Sequence, residues 1–209
     1  MLRPMSYRWE ITAAALRQGV IGIVRTRNAE SAVEAARAAL DGGLRSVELP
    51  LTNPGALDAI SGLVAAYPDA TIGAGTVLDE ASAVLAIRAG ARFLVSPSVD
   101  AAVIRTAHRY GVAAFPGAGS VTEIVRALAE GADAVKVFPA SALRPSWVAD
   151  VRAALPQAPL VPTGGIGVDD VPEWLAAGAV ACGVGSALTR GTPAEIAARV
   201  ETLVRSAHG

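Results

Sequence analysis

Lysine is almost absent from this chain. Its 209 residues include 18 basic side chains, but 17 of these are arginines and Lys136 is the only lysine. The single cysteine, Cys182, excludes an intrachain disulfide and favours a reducing compartment, so we expect a cytoplasmic protein. Aromatic residues make up only 4% of the chain. Alanine, valine, leucine and isoleucine must therefore fill the core, which suits parallel strands buried on both faces.

Long apolar runs and an excess of positive charge are absent as well. Charged or turn residues interrupt every hydrophobic stretch before it reaches the roughly 20 residues of a membrane span. The first ten residues lack the apolar segment of a signal peptide, and a net charge of −1 offers no basic surface for nucleic acid. His108 lies in an amphipathic helix and is expected to face solvent, and neither His108 nor His208 has a partner at metal-ligand spacing. We therefore expect one soluble domain over residues 1–209, with no metal, nucleic-acid or membrane partner.

One sequence pattern recurs along the chain. An alanine-rich, helix-forming stretch ends at a glycine, and a β-branched run follows within a few residues. The glycines that fit the position after a helix end are Gly43, Gly90, Gly111, Gly131 and Gly178. Repeats of strand, turn, helix and glycine predict parallel βαβ units.

Eight such units predict a TIM (β/α)8 barrel, with a doubly wound open sheet as the alternative. The predicted strands lie near residues 20–25, 46–51, 71–76, 93–97, 113–117, 134–138, 160–163 and 181–185. The predicted helices lie near residues 29–41, 54–66, 79–89, 100–109, 120–129, 146–154, 168–176 and 193–206. An extra N-terminal helix near residues 6–18 is expected to cover the bottom of the barrel. Asp79 and Thr122 offer oxygens for helix N-caps, and Pro54 and Pro145 suit first-turn positions.

Lys136 is the first candidate catalytic residue, because it lies in the otherwise apolar strand segment AVKVFP. Period-two alternation places Ala134, Lys136 and Phe138 on one face of this strand. An ammonium buried there loses hydration, so the neutral amine becomes accessible near pH 7 and can attack a carbonyl carbon to form an imine. The structural alternative is a lysine that extends its charge to the strand end.

Glu48 is the second candidate, flanked by Val47 and Leu49 in RSVELPL. An acidic residue inside a strand is unfavourable unless it is paired or functional. We expect a general acid and base beside the amine, and an ion pair with Arg25 or Lys136 is the alternative.

Two glycine-rich turns predict a phosphate site. PTGGIG follows the seventh strand and GVGS follows the eighth, where phosphate commonly binds in such barrels. Plain turn chemistry is the alternative. Arg25 ends the first strand and suits a substrate carboxylate, or else pairs with Glu48. Thr76, in GAGTV, offers a hydroxyl to the substrate or to its own strand end. The glycines of this segment do not form GxGxxG, which argues against a nicotinamide cofactor.

Six segments, in this order and at these spacings, resemble one enzyme family. They are IVRT, VELPLTNP, IGAGTVLD, AVKVFPAS, PTGGI and GVGSAL. Together they resemble the 2-keto-3-deoxy-6-phosphogluconate and 6-phosphogalactonate aldolases, over nearly the whole chain. The resemblance implies a class I aldolase on a TIM barrel, homotrimeric and independent of metals and cofactors.

The resemblance also implies roles for individual residues. Lys136 matches the Schiff-base lysine and Glu48 the proton-shuttling glutamate. The implied substrate-binding residues are Arg25, Thr76 and Thr163, and the implied phosphate-binding residues are Gly164, Gly165, Gly185 and Ser186.

The substrate subtype is predicted from fewer positions. The gluconate branch usually carries an arginine after the glutamate strand, whereas Thr52 stands there in this chain. VELPLTNP, and KVFPAS followed by Leu143 and Pro145, resemble the galactonate branch, although Thr163 in PTGGI resembles the gluconate branch. We predict cleavage of 2-dehydro-3-deoxy-6-phosphogalactonate to pyruvate and glyceraldehyde 3-phosphate. The gluconate epimer is the alternative substrate.

Two other functions stay open at this point. One is a different phosphate-binding barrel enzyme, such as an isomerase or decarboxylase, in which Lys136 acts only as a charge. The decarboxylase pattern DxKxxD is absent, because Asp133 lies three residues before Lys136 and Pro139 occupies the later position. The other is a catalytically silent barrel that binds a sugar phosphate.

Overall fold

The computed structural model describes residues 7–206. The strands in this part of the chain are β1 Val20–Ile23, β2 Ser46–Pro50, β3 Thr71–Gly75, β4 Phe93–Val95, β5 Ala113–Phe115, β6 Gly117–Ala118, β7 Val135–Val137, β8 Leu160–Pro162 and β9 Cys182–Val184. The helices are α1 Arg8–Leu16, α2 Ala29–Asp41, α3 Ala56–Ala66, α4 Glu80–Arg88, α5 Ala101–Arg109, α6 Val121–Ala129, α7 Pro145–Ala154, α8 Val171–Ala176, α9 Ser186–Thr189 and α10 Pro193–Ser206. A short 3-10 turn covers Ala140–Ala142.

The strands form a closed ring of parallel neighbours. Hydrogen-bonded pairing runs in the order β5-β4-β3-β2-β1-β9, and separately in the order β6-β7-β8. A bridge between Thr163 and Gly183 joins β8 to β9. At the other seam, β5 and β6 are one strand interrupted at Pro116, which has no N–H to donate. Counted as one strand, they complete the eight predicted, and the barrel prediction is confirmed.

Alternation along the strands divides the apolar residues into two cores. The interior of the barrel holds a cluster that includes Ile21, Val95, Phe115 and Val161. Helix α1 adds Ile11 and Ala15 to the same cluster, so the predicted N-terminal helix closes the barrel at the end where the strands begin. The larger cluster lies between the strands and the outer helices. Because the interior is packed at the bottom, any open site must lie at the other end of the barrel.

The helix ends agree with most of the sequence signals. All five glycines predicted after helix ends have positive φ angles, from 72° at Gly111 to 101° at Gly43 and Gly178. Asp79 caps α4 by accepting a hydrogen bond from the Ser82 N–H.

Two of these local predictions were wrong, and two short elements were missed. Helix α6 is capped by Ser120 rather than Thr122, because Ser120 comes directly before the first helical residue. Helix α3 begins at Ala56, two residues beyond Pro54. The turn at Ala140–Ala142 and helix α9 were not predicted, since three or four residues are too short to show a helical period.

The prediction that His108 faces solvent was also wrong. Its Nε2 atom lies 3.2 Å from Oδ2 of Asp133, and Arg8 of α1 contacts the other oxygen of that carboxylate at 3.1 Å. Burial and the positive charge of Arg8 lower the pKa of His108, against the opposing effect of Asp133. Since Asp133 also accepts a hydrogen bond from the Ala114 N–H at 2.9 Å, it ties α1 to the bottom of the barrel. His208 lies outside the described residues.

A membrane-crossing helix would need a long apolar segment. Within residues 7–206, no helix combines the required length and apolarity.

Candidate active site

Lys136 and Glu48 meet inside the open end of the barrel. On β7 the neighbours Val135 and Val137 pack against the outer helices, so Lys136 points inward, as its alternation predicts. Glu48 occupies the equivalent inward position of β2, between the outward-facing Val47 and Leu49. Only 8% of Lys136 and 3% of Glu48 is exposed. Both side chains line a cavity of about 450 Å³ at the C-terminal ends of the strands.

Gly75 makes room for the Glu48 carboxyl group. Strands β2 and β3 pair in register, and a Cβ atom added at Gly75 would overlap the Oε1 and Cδ atoms of Glu48 and lie 2.8 Å from its Cγ. Gly75 does not have a positive φ, so the requirement there is for space and not for an unusual backbone angle. The side chain of Glu48 therefore lies across β3, toward the barrel interior.

Burial controls the protonation of Glu48. Removal from water raises the pKa of its carboxyl group above the ordinary value, and the positive charges of Lys136 and Arg25 oppose this effect. Among the described residues, no ion pair of 4.0 Å or less joins Glu48 to either charge. Glu48 is thus a buried acid near two cations and is not locked in a salt bridge, so it is free to exchange a proton.

The Lys136 amine lies between apolar groups and the cavity. Its Nζ atom is 4.8 Å from the centroid of the Phe138 ring, within the range of a cation–π contact. Beneath it, a void of about 10 Å³ is lined by Glu48, Lys136 and the interior side chains Val95, Phe115 and Val161. A void of this size holds at most about one water molecule. The amine is therefore open to a ligand from the cavity side alone.

Arg25 lies at the end of β1, on one side of the cavity. Its Nη1 atom donates a hydrogen bond of 3.1 Å to the Thr52 hydroxyl, and this contact replaces the alternative of a pair with Glu48. The buried side chain of Asn53 donates to the Val24 carbonyl at 2.6 Å and accepts from the Thr26 N–H at 3.3 Å. These two bonds hold the backbone on both sides of Arg25. Asn53 belongs to the quoted segment VELPLTNP, but the sequence showed no reason to assign it a role.

The two glycine turns line the same cavity after β8 and β9, and the turn after β9 adjoins the end of β1 because those strands pair. Gly164 and Gly165 have φ angles of 94° and 81°, and an added Cβ would lie 3.1 Å from the Phe138 ring at Gly164 and 2.6 Å from the Cβ of Ser141 at Gly165. Among residues 7–206, the N–H groups of Gly165 and Ile166 donate no hydrogen bond. Consecutive free N–H groups in such a turn suit an anion. Gly185 and Ser186 line the same cavity.

The two predicted threonines lie in different places. Thr163 lines the cavity, and its buried hydroxyl donates to the Val161 carbonyl at 3.1 Å. Thr76 follows β3 with a φ of 56°, a strained angle for a β-branched residue. It is half-buried and does not line this cavity, so its predicted contact with the substrate stays a prediction.

Arg190 is a cavity residue that the sequence analysis missed. It follows α9 directly and lines the cavity together with Ser186 and Ala187. No sequence signal distinguished it, because the chain has 17 arginines. With Arg190 included, the cavity is lined by three basic residues and one acidic residue, so it favours an anionic ligand.

Metal ligands are a separate question. Within the described part of the chain, no group of three or more histidine, cysteine, aspartate or glutamate residues is arranged to hold a metal ion. Cys182 is buried among the outer core residues, where burial raises the pKa of its thiol to about 12.

A buried amine and a buried acid at the open end of a parallel barrel define a class of protein. These are barrel enzymes in which a lysine forms an imine with a carbonyl substrate and a carboxyl group transfers protons. Consistent with that class, the model of the KDPG and KHG aldolase family matches residues 11–202. The chain belongs to this family.

Individual relatives agree with the family assignment. The chain is 37% identical over 173 residues to 2-dehydro-3-deoxy-6-phosphogalactonate aldolase of Escherichia coli K12, covering 82% of this chain and 84% of that protein. It is 39% identical over 175 residues to 2-dehydro-3-deoxy-phosphogluconate aldolase of Treponema pallidum, covering 83% of each. Among solved structures, a KDPG aldolase from Legionella pneumophila holds pyruvate as a covalent carbinolamine. It matches with a TM-score of 0.83 and 28% identity, over 95% of this chain and 98% of that one.

Proposed function

We propose that this protein, as one barrel domain over residues 1–209, is a class I aldolase. It cleaves 2-dehydro-3-deoxy-6-phosphogalactonate to pyruvate and glyceraldehyde 3-phosphate. The observation that carries the proposal is the burial of Lys136 and Glu48 in one cavity, whose charged lining residues are mainly cationic. The covalent carbinolamine that pyruvate forms in the Legionella pneumophila relative supports imine chemistry.

The reaction begins when the neutral amine of Lys136 attacks the C2 ketone of the substrate. Loss of water gives a protonated imine, which draws electrons from the C3–C4 bond. Glu48 takes the proton of the C4 hydroxyl, the C3–C4 bond breaks, and its electron pair forms an enamine with the imine carbon. Protonation of the enamine at C3 and hydrolysis release pyruvate and restore the amine. Because burial raises the pKa of Glu48, its carboxylate is a stronger base than an exposed one.

The two charged ends of the substrate have separate candidate partners in the cavity. Arg25 binds the carboxylate, Thr163 contacts the substrate, and the glycine turns bind the phosphate. The family resemblance assigns a substrate contact to Thr76 as well, although Thr76 lies outside the lining of this cavity. No metal or cofactor takes part in these steps. Binding of the remote phosphate orients the bond that breaks.

The gluconate epimer is the second candidate substrate. The Treponema pallidum relative named for gluconate is as similar as the Escherichia coli relative named for galactonate. Thr52 favours the galactonate epimer. It stands where the gluconate branch usually carries an arginine, and its hydroxyl accepts a hydrogen bond from Arg25. Comparing kcat/KM for the two C4 epimers decides between them, and a preference for the gluconate epimer would reverse the assignment.

The single lysine makes imine formation unusually easy to test. Pyruvate and borohydride should add a stable mass increment to the peptide that contains Lys136, since the N-terminal amine is the only other primary amine in the chain. An active enzyme whose Lys136 peptide remains unmodified would contradict the mechanism.

A charge-conserving control separates this mechanism from a barrel in which Lys136 is only a cation. Lys136→Arg retains the positive charge but forms no imine, so it should abolish both aldol cleavage and the exchange of pyruvate methyl protons into deuterated water. Lys136→Met should have the same effect. Retained exchange in either variant would favour the isomerase, decarboxylase or silent-barrel alternatives.

We further propose a cytoplasmic homotrimer. The lone buried cysteine suits a reducing compartment. Exposed apolar side chains, including Leu78 at 57% and Leu85 at 53%, are available for contacts between subunits. Light scattering coupled to gel filtration measures the assembly, and a monomeric mass at micromolar concentration would count against the trimer.

A further inference from the structure

Arg190 has a free guanidinium group at the edge of the active-site cavity. It is exposed, and no ion pair or side-chain hydrogen bond joins its guanidinium to any of residues 7–206. It lines the cavity with Ser186, the first residue of α9, and directly follows that helix in an extended conformation. Its charge is therefore available to a ligand bound beside the glycine turns.

The backbone that carries Arg190 is firmly held, although its side chain is not. Arg199, on α10, donates from one Nη1 atom to the carbonyls of Leu188 and Arg190, at 2.7 Å and 2.8 Å. Leu188 is fully buried and packs against the position of Gly22 on β1. The end of α9 is thus anchored to two other elements, so the Arg190 side chain starts from a fixed point on the cavity wall.

The charges of the cavity fall into three groups. Lys136 and Glu48 lie at the base, Arg25 lies beside β1, and Arg190 lies beside the turns that contain Gly165 and Gly185. The free N–H groups of Gly165 and Ile166 provide hydrogen bonds to an anion but no full charge. A phosphate ester carries about −1.5 to −2 charge at neutral pH, which a fork of guanidinium N–H groups matches well.

We propose that Arg190 is a specificity residue that binds the phosphate of the substrate and so selects phosphorylated over unphosphorylated sugar acids. The inference rests on the proposed function, because it assumes a substrate with a phosphate at the end remote from its keto acid. Arg25 then serves the carboxylate and Arg190 the phosphate.

The test compares Arg190→Gln with wild type on 2-dehydro-3-deoxy-6-phosphogalactonate and on its unphosphorylated analogue. Loss of a charge-assisted bidentate contact should lower kcat/KM about ten- to a hundredfold on the phosphorylated substrate, chiefly through KM. The unphosphorylated analogue should be affected far less, so the preference for phosphate falls. Arg190→Lys keeps the charge and should recover part of the preference.

Arg88→Gln is the matched control, because Arg88 is an exposed arginine at the far end of α4 and its loss changes the net charge equally. It should leave the preference for phosphate unchanged. An unchanged preference in Arg190→Gln, or an equal loss on both substrates, would overturn the inference.

A binding measurement distinguishes failure of this inference from failure of the proposed function. Inorganic phosphate titrated calorimetrically into each protein should bind more weakly to Arg190→Gln than to wild type, whether or not the protein cleaves anything. Equal phosphate affinity would refute the role of Arg190. Absence of pyruvate proton exchange in the wild-type enzyme would instead refute the aldolase mechanism.

Discussion

Replacing Gly75 with alanine is expected to displace Glu48 without unfolding the barrel. The new Cβ atom would occupy the space of the Glu48 carboxyl group, and 2.8 Å from Cγ is too close for the side chain to keep its present rotamer. The group that must move is the end of a flexible side chain. Gly75 is also in a backbone conformation that alanine can adopt, so the substitution introduces no strained φ angle.

Two opposing effects set the expected change in stability. Overpacking of a well-packed site typically costs about 1–3 kcal/mol. Gly→Ala at a compatible backbone angle recovers about 0.4–1 kcal/mol by restricting the unfolded chain. The free energy of unfolding should therefore fall by at most about 2.6 kcal/mol. Displacing a catalytic group by about 1 Å can nevertheless slow a reaction about a hundredfold.

The assay is the rate of pyruvate release, measured for wild type, Gly75→Ala, Glu48→Gln and the double variant. If the alanine acts only through the carboxylate, the substitution should add little to the loss already present in Glu48→Gln. Gly62→Ala, on α3, is a control, because a Cβ there would meet nothing within 4 Å. A Gly75→Ala enzyme with wild-type kcat, or one that slows the Glu48→Gln background just as strongly, would refute the reasoning.

Three further predictions concern stability. Glu48→Gln should raise Tm at neutral pH, because the raised pKa of Glu48 makes its ionised form unfavourable in the folded protein. The folded state holds the extra proton, so the stability of the wild-type protein falls as pH rises through the pKa of Glu48 in the folded state. The Tm values of wild type and Glu48→Gln should therefore converge below the ordinary glutamate pKa of about 4.3. A difference in Tm that does not change with pH would contradict this. Asp133→Ala should lower the free energy of unfolding, measured in urea, by about 2 kcal/mol, because Arg8 loses its buried partner. A change under about 0.5 kcal/mol would show that α1 is held by packing alone. Ser120→Ala should cost about 1 kcal/mol through loss of the α6 cap, whereas Thr122→Ala should cost much less, and the reverse order would mean that the cap is misassigned.

Local sequence signals predicted most of the fold because each depends on neighbouring residues only. Inward and outward alternation around Lys136, positive φ angles at glycines such as Gly43 and Gly178, and the cap at Asp79 involve a few residues of contiguous chain. The same signals failed where competing candidates lay close together. Ser120 and Thr122 are both suitable capping residues. The sequence could not place the start of α6 to within two residues, so the wrong one of the two was predicted as the cap.

The candidate site was predicted in part, for a related reason. Lys136 and Glu48 could be chosen without knowing their neighbours, because charge inside an apolar strand is unusual in itself. Asn53 and Arg190 could not be chosen that way. A buried asparagine that holds the Arg25 backbone, and an arginine that differs from 16 others only by its location, become recognisable only when the barrel closes around them.

The amino-acid sequence alone determined the order of strands and helices, the count of eight strand–helix units, and the placement of one amine and one acid at the C-terminal ends of two strands. It could do so because hydrophobic period and turn chemistry act over short distances along the chain. The tertiary structure alone decided that Glu48 lies over Gly75, that Arg25 contacts Thr52 rather than Glu48, that His108 pairs with Asp133, and that Arg190 reaches the cavity. Those contacts join residues 25 or more positions apart or from different strands and helices, and their geometry depends on strand register and ring closure, which no local pattern specifies.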